Sequence, residues 1–327
     1  MTLARESMES FLATALAGNP CSVNKVAGDA SFRSYYRVTT ASARYILMDA
    51  PPEKEDSAPF LDIARFLHPH GVPVPRILQA DLQQGYLLLE DFGDTTFLLA
   101  LEQGTPPRQL YQAAVETLLT LQATPLDGSC IAHGRPFDYA MLRRELALFT
   151  DWYIEQIRAT PISAQDRQRF EVVFDRLLTE ILQQPTVLVH RDYHSRNLMW
   201  HEHQVGLLDF QDAVVGPITY DLASLLRDCY VAWDAPFRAE ISALWLQGAR
   251  QRLNYAPADA QRFQRDFDWM AIQRNLKAIG IFGRLSRRDG KHGYLNDIPR
   301  TLGYVRETLA RYPELHTLTT LIDQYAP

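Results

Sequence analysis

Apolar residues near the start of the chain fall at Leu3, Met8, Phe11, Leu12 and Leu16, with Arg5, Glu6 and Glu9 between them. That spacing predicts an amphipathic helix with one stripe toward a core and its charges toward water. Asn19-Pro20 ends it, since proline disfavours helix in the residue before it. Residues 32–40 and 44–49 are rich in aromatic and β-branched side chains and predict a hairpin. Apolar positions 60, 61, 63, 64, 66 and 67 then return to a helical period. Pro73 and Pro75 make residues 71–77 extended, and the apolar run 86–89 predicts a buried strand entering the turn Glu90-Asp91-Phe92-Gly93.

Beyond Thr95 the pattern is mainly helical, with long segments predicted over 108–124, 139–159, 164–184 and 269–285. One interruption stands out. The apolar run 187–189 leads into a polar loop, then a short apolar run, a turn, and a second apolar run ending at Asp209. This predicts strand, loop and hairpin. The change from strands to helices near residue 93 divides the chain into 1–92 and 93–327, and no internal repeat is seen.

Composition narrows the class without naming a chemistry. The 327 residues suffice for a substantial core, and 46% apolar with 22% charged is ordinary for a soluble globular protein. Thirty-three basic against 39 acidic residues leave a net charge of −6 with no basic block, so no nucleic-acid partner is expected. No segment offers the roughly 18 uncharged apolar residues of a membrane span. Cys21, Cys130 and Cys229 are scattered and lack metal-type spacing. Free thiols in a reducing, cytoplasmic setting are the expectation.

The candidate chemistry lies in the polar loop. His190-Arg191-Asp192, then Asn197, then Asp209 follow the order H-R-D-x-x-x-x-N and a later acid. The predicted hairpin brings the two acids and the amide together. Phosphoryl transfer needs such a set: one carboxylate to orient and deprotonate a hydroxyl, and two oxygen ligands for Mg²⁺. Asp192 is therefore the expected base, and Asn197 and Asp209 the expected metal ligands. His190 is expected to hold the loop, and His194 to face an acceptor. Arg191 is expected to pair with an acid such as Asp212, and Asp221 to cap the helix after it. The turn holding Gly28, Ser31, Phe32 and Arg33 is expected to approach phosphates, although its single glycine is a weak signal.

These stretches, with residues 208–213, Gly216-Pro217, residues 220–226 and Met48-Asp49-Ala50-Pro51-Pro52, resemble the aminoglycoside phosphotransferase family, a branch of the protein-kinase-like fold. Within it the chain looks most like bacterial anomeric kinases of N-acetylmuramate and N-acetylglucosamine. The resemblance implies an α+β, bilobal fold with a β-rich N-terminal lobe and a mainly helical C-terminal lobe. It also implies ATP and Mg²⁺ in the cleft, adenine against the hinge backbone near Glu90 and Phe92, and transfer to the C1 hydroxyl of an amino sugar. Arg274 and Lys277, close on one side of the 269–285 helix, and the basic loop 287–294 after it are expected to supply a cation that meets the sugar's carboxylate. The chain departs from the pattern at Met48, which occupies the place expected for a phosphate-gripping strand lysine, so either a basic residue such as Arg33 or Arg37 substitutes or nucleotide affinity rests on Mg²⁺ and backbone donors. The alternatives are a kinase of choline, thiamine, homoserine or an aminoglycoside, and a nucleotide-binding pseudokinase. Met48 is the pseudokinase's only support, and the complete Asp192, Asn197, Asp209 set weighs against it.

Overall fold

The computed structural model describes residues 2–26 and 32–327. Helix α1 (Thr2–Ala15) forms as its apolar spacing predicts. Strands β1 (Ser22–Lys25), β2 (Ser34–Thr39), β3 (Arg44–Asp49), β4 (Ile77–Asp81) and β5 (Tyr86–Glu90) make an antiparallel sheet of order β1-β2-β3-β5-β4. Helix α2 (Ala58–Leu67) connects β3 to β4. Successive side chains on a strand point to opposite faces, and both faces here are covered. Val38, Leu47, Tyr86 and Leu88 pack under Phe11, Leu12 and Leu16 of α1. Met48, Leu87 and Leu89 face the other way, into the main core with Phe60, Ile63 and Ala64 of α2. Two-sided burial explains why residues 86–89 form an unbroken apolar run. Each buried leucine contributes roughly 1.5–3 kcal/mol.

The rest of the chain is mostly helical: α3 (Phe97–Glu102), α4 (Pro107–Gln122), α5 (Tyr139–Leu148), α6 (Ala164–Ile181), α7 (Tyr220–Leu226), α8 (Ala235–Arg252), α9 (Ala260–Asp289), α10 (Ile298–Leu309) and α11 (His316–Tyr325). Helix α5 runs on as a π-helical segment over Phe149–Ile157. Two short antiparallel strand pairs sit among the helices. Strand β6 (Thr186–Val189) pairs with β9 (Val214–Pro217), and β7 (Leu198–His201) with β8 (Gln204–Leu207).

Helix α9 is the axis of this part. Residues 266–280 are buried without interruption, so polar members such as Gln273, Arg274 and Lys277 must find partners inside. Its approach to α5 is set by glycine: a Cβ on Gly280 would lie 2.3 Å from the carbonyl carbon of Leu148.

A single apolar cluster runs from Met48 to Ala326 and so crosses residue 93. Leu207 N–H donates to the carbonyl of Pro73 at 2.8 Å, and a Cβ on Gly206 would lie 2.5 Å from the Phe92 ring. The two parts are thus packed together beside Phe92. Among the described residues, no helix is long and apolar enough to cross a membrane.

Candidate active site

The polar loop 190–197 leaves β6 and is held by buried groups from four directions. Asp221 accepts from the backbone N–H of His190 at 2.6 Å and of Arg191 at 3.0 Å. The expectation that Asp221 caps a helix is therefore corrected: Thr219 is the N-cap of α7, and the Asp221 carboxylate serves the loop. Burial pushes that carboxyl up to about 6, against the pull of His190 and the two N–H donors. His190 Nδ1 accepts from the Asp192 N–H at 3.3 Å, which leaves Nε2 to donate to the Leu208 carbonyl at 2.9 Å. Burial lowers its pKa, so it stays neutral and structural, as expected. Tyr193 Oη donates to the Ala114 carbonyl at 2.7 Å, and Asp228 accepts from Ser195 N–H at 2.8 Å.

Within this frame the hairpin brings the expected residues together. Asn197 Nδ2 donates to the Asp192 carbonyl oxygen at 3.1 Å and to Asp209 Oδ2 at 3.3 Å. Its amide nitrogen is thus used internally, and its amide oxygen remains as an acceptor. Asp209 follows β8 with φ +65°, a left-handed conformation that Asp tolerates better than most residues. Gln211 Nε2 donates to its Oδ1 at 2.7 Å. An amide oxygen and a carboxylate are the hard donors Mg²⁺ prefers. No group of three or more His, Cys, Asp or Glu suited to a metal occurs among the described residues. Two protein oxygens, with phosphates and water completing the shell, fit Mg²⁺ and no all-protein cage.

Asp192 sits beside a buried charge network. Lys277 Nζ lies 3.9 Å from its carboxylate and 3.4 Å from that of Glu145, and donates to Tyr220 Oη at 2.9 Å. Glu145 also accepts from Arg191 at 2.8 Å and from Gln273 at 3.0 Å. Burial pushes the Asp192 carboxyl up, but Lys277, then His194, Arg274 and Arg191, outweigh it and hold it below the usual carboxylate range. Burial likewise lowers Lys277, and Asp192 and Glu145 more than restore it, so the ammonium stays charged. Lys277 therefore lies at the expected base, although its helix face is buried. Arg274 is buried too: its guanidinium meets Ser224 Oγ at 3.0 Å and Cys229 Sγ at 3.2 Å, and it acts on Asp192 by charge. His194 packs edge-on against Tyr230, with ring centroids 5.3 Å apart, and burial lowers it to about 4. It is neutral near pH 7. Arg191 pairs with Glu145 rather than with Asp212, and it holds φ +79°, a strained value for a non-glycine residue.

A cleft of about 360 Å³ opens between the sheet and the hairpin. Ile46, Leu89 and Met199 line its apolar walls, Glu90, Asp91, Phe92 and Gly93 one edge, and Arg196, Asn197 and Asp209 the other. The size and the mix of apolar walls with few polar groups suit a small-molecule ligand. Glu90 and Phe92 thus both line the cleft. Gly28 and Ser31 lie outside the described residues. Phe32 is exposed, its N–H donating to Glu55 at 3.1 Å, and buried Arg33 pairs with Glu55 at 3.5 Å. Neither is among the residues lining this cleft.

Arg37 does line it, but its guanidinium is forked between Asp91, at 2.7 and 3.1 Å, and Asp94, at 2.9 Å twice. Two carboxylates already neutralise that charge. Met48 is fully buried in the core, and Ile46 is the β3 residue facing the cleft. Sequence reasoning missed Glu145 and Arg196. An acid on the apolar stripe of α5, between Leu142 and Phe149, was the available signal for the first. Position beside Asn197 was the signal for the second.

The sequence profile of the phosphotransferase enzyme family (APH) matches residues 22–256. The chain is 40% identical over 304 residues to a Pseudomonas aeruginosa protein named N-acetylmuramate/N-acetylglucosamine kinase, covering 93% of this chain and 88% of that one. Among solved structures it is similar to a putative aminoglycoside phosphotransferase from Ralstonia eutropha, with TM-score 0.65, 16% identity, and 93% and 96% of the two chains covered. It is also similar to ADP-bound aminoglycoside phosphotransferase APH(2'')-Ib, with TM-score 0.61, 13% identity, and 92% and 98% covered. At those identities the structural likeness shows the fold.

Proposed function

Since the chain belongs to the phosphotransferase enzyme family, we propose that it is an ATP-dependent kinase of N-acetylmuramate and N-acetylglucosamine that phosphorylates the anomeric C1 hydroxyl. The sugar 1-phosphates formed would enter cell-wall recycling. The observation that carries the chemistry is the convergence of the three residues: Asn197 and Asp209 line one edge of the cleft, and the Asn197 amide joins the Asp209 carboxylate to the backbone carbonyl of Asp192. The 40% identity to the Pseudomonas aeruginosa kinase carries the acceptor.

In this reading residues 1–92 form the nucleotide-binding lobe and 93–327 the lobe with the catalytic loop and acceptor site. The hinge backbone near Glu90 and Phe92 meets the adenine edge. Asn197 and Asp209 hold Mg²⁺, which when bound offsets phosphate charge. Asp192 orients the attacking hydroxyl and accepts its proton. The sugar oxygen forms a bond to the γ-phosphorus, the bond to the β–γ bridging oxygen breaks, and ADP leaves with that electron pair. A carboxylate held below its usual range is a modest base. It suits the anomeric hydroxyl, which is more acidic than other sugar hydroxyls. The charge near Asp192 from Lys277, Arg274 and Arg191 suits an acceptor bearing a carboxylate and disfavours a polycationic antibiotic. A reducing, cytoplasmic setting fits the free Cys21, Cys130 and Cys229.

The test is ADP release from Mg-ATP with each sugar, for wild type and Asp192→Asn. The reading requires turnover that Asp192→Asn lowers by about 10³-fold or more while ATP binding persists. Equal ADP release by the two proteins would remove Asp192 from the chemistry.

A further inference from the structure

A polyanionic nucleotide needs cationic contacts, and the described cleft offers few. Its charged lining residues are Arg37, Glu90, Asp91, Arg196 and Asp209. Arg37 is committed to Asp91 and Asp94, and β3 presents Ile46 to the cleft and Met48 to the core. Arg196 is different. Among the described residues its guanidinium makes only aromatic contacts, 3.7 Å from the ring centroid of Tyr230 and 5.7 Å from that of Tyr294. Stacking covers a face of the planar group and leaves its in-plane N–H donors free. The seat is also fixed. Asp228 accepts from Ser195 N–H through Oδ2 and from Tyr230 N–H through Oδ1, each at 2.8 Å. One carboxylate therefore ties the turn carrying Arg196 to the ring on which it rests.

We propose that Arg196 is the phosphate-reading cation of this site, its free donors binding the terminal phosphate of the nucleoside triphosphate and the phosphoryl group as it transfers. It supplies from the catalytic loop the charge that strand β3 lacks. The neighbouring Asn197 places those donors next to the proposed metal ligands, where negative charge is greatest during transfer. The inference rests on the reading of this cleft as the nucleotide site.

The experiment compares wild type, Arg196→Met and Arg196→Lys for binding of ATP, ADP and adenosine with Mg²⁺, and for KM and kcat with each sugar. Arg196→Met should weaken ATP about 10- to 100-fold, ADP less, and adenosine not at all. It should also lower kcat about 10²- to 10³-fold. Arg196→Lys keeps the charge without the fork and should fall between. Unchanged binding of all three ligands would overturn the proposal, as would equal loss for all three, which marks a disturbed cleft. ATP binding unchanged while KM rises for N-acetylmuramate alone would assign Arg196 to the sugar carboxylate and also overturn it. Failure of wild type itself to bind ATP would defeat the nucleotide-site reading, a separate result.

Discussion

Replacing Lys277 with methionine removes the nearest cation to Asp192 while keeping an unbranched chain in the buried space. The two charges lie 3.9 Å apart, Lys277 is 5% exposed and Asp192 39% exposed. At an effective dielectric constant of about 20, that separation corresponds to about 4 kcal/mol. Water at the exposed carboxylate screens much of this, leaving about 1.5 kcal/mol, or about one pKa unit. The sign follows from which form is stabilised. Lys277 favours the charged carboxylate, so its loss raises the Asp192 pKa and moves the acid limb of activity to higher pH. Glu145 keeps Arg191 and Gln273 as partners, so the variant retains part of the network. The assay is kcat/KM for the sugar followed downward from about pH 7 to about pH 2, where a carboxylate held below its usual range titrates, with folding checked at each pH. The acid limb should lie about one unit higher in Lys277→Met than in wild type. Coincident limbs, whatever the change in kcat, would refute the idea that Lys277 sets the ionisation of the base.

Three further outcomes follow from packing and titration. Gly280→Ala places a Cβ 2.3 Å from a backbone carbon of Leu148, so urea denaturation should show a loss of about 1–3 kcal/mol, with lower kcat as Lys277 shifts from Glu145. Gly206→Ala drives a methyl to 2.5 Å from the Phe92 ring at the cleft edge, so KM for ATP should rise more than kcat falls. His194 titrates at about 4 when folded and near 6.5 when unfolded, so the unfolded chain binds the extra proton between those values and stability falls as pH drops through them. Asp221, raised to about 6, acts in the opposite direction. The Tm of His194→Gln should therefore fall less than that of wild type between about pH 6.5 and 4.

The local signals in the sequence were strong where one strand or loop decides the outcome. The loop 190–197 and the β7–β8 hairpin hold the proposed catalytic residues within a short span, so Asp192, Asn197 and Asp209 were legible together. Residues 86–89 were legible as a buried strand because both sheet faces are covered. Strand β1 was not, because its residues are all exposed and give no apolar pattern. Strand β9 was hidden because its pairing with β6 is a tertiary fact. Sequence proximity offers Arg191 an acid such as Asp212, whereas its partner Glu145 is distant in sequence and reaches it only through the packing of α5 on α9. Arg33 and Arg37 were sought as substitutes for a strand lysine on strand proximity. Their carboxylate partners, invisible without the fold, occupy both. Arg274 and Lys277 were placed together correctly by helical spacing, but that spacing does not tell a buried face from a solvated one.

The central claim is transfer of phosphate to the C1 oxygen of an N-acetylated amino sugar with Asp192 as base. The most direct test is ³¹P NMR of the product formed from Mg-ATP with N-acetylmuramate or N-acetylglucosamine by wild type and Asp192→Asn. The account predicts a sugar 1-phosphate signal with wild type and none with Asp192→Asn on the same time scale. A phosphate ester at any other sugar position, or a 1-phosphate formed equally well by Asp192→Asn, would contradict it.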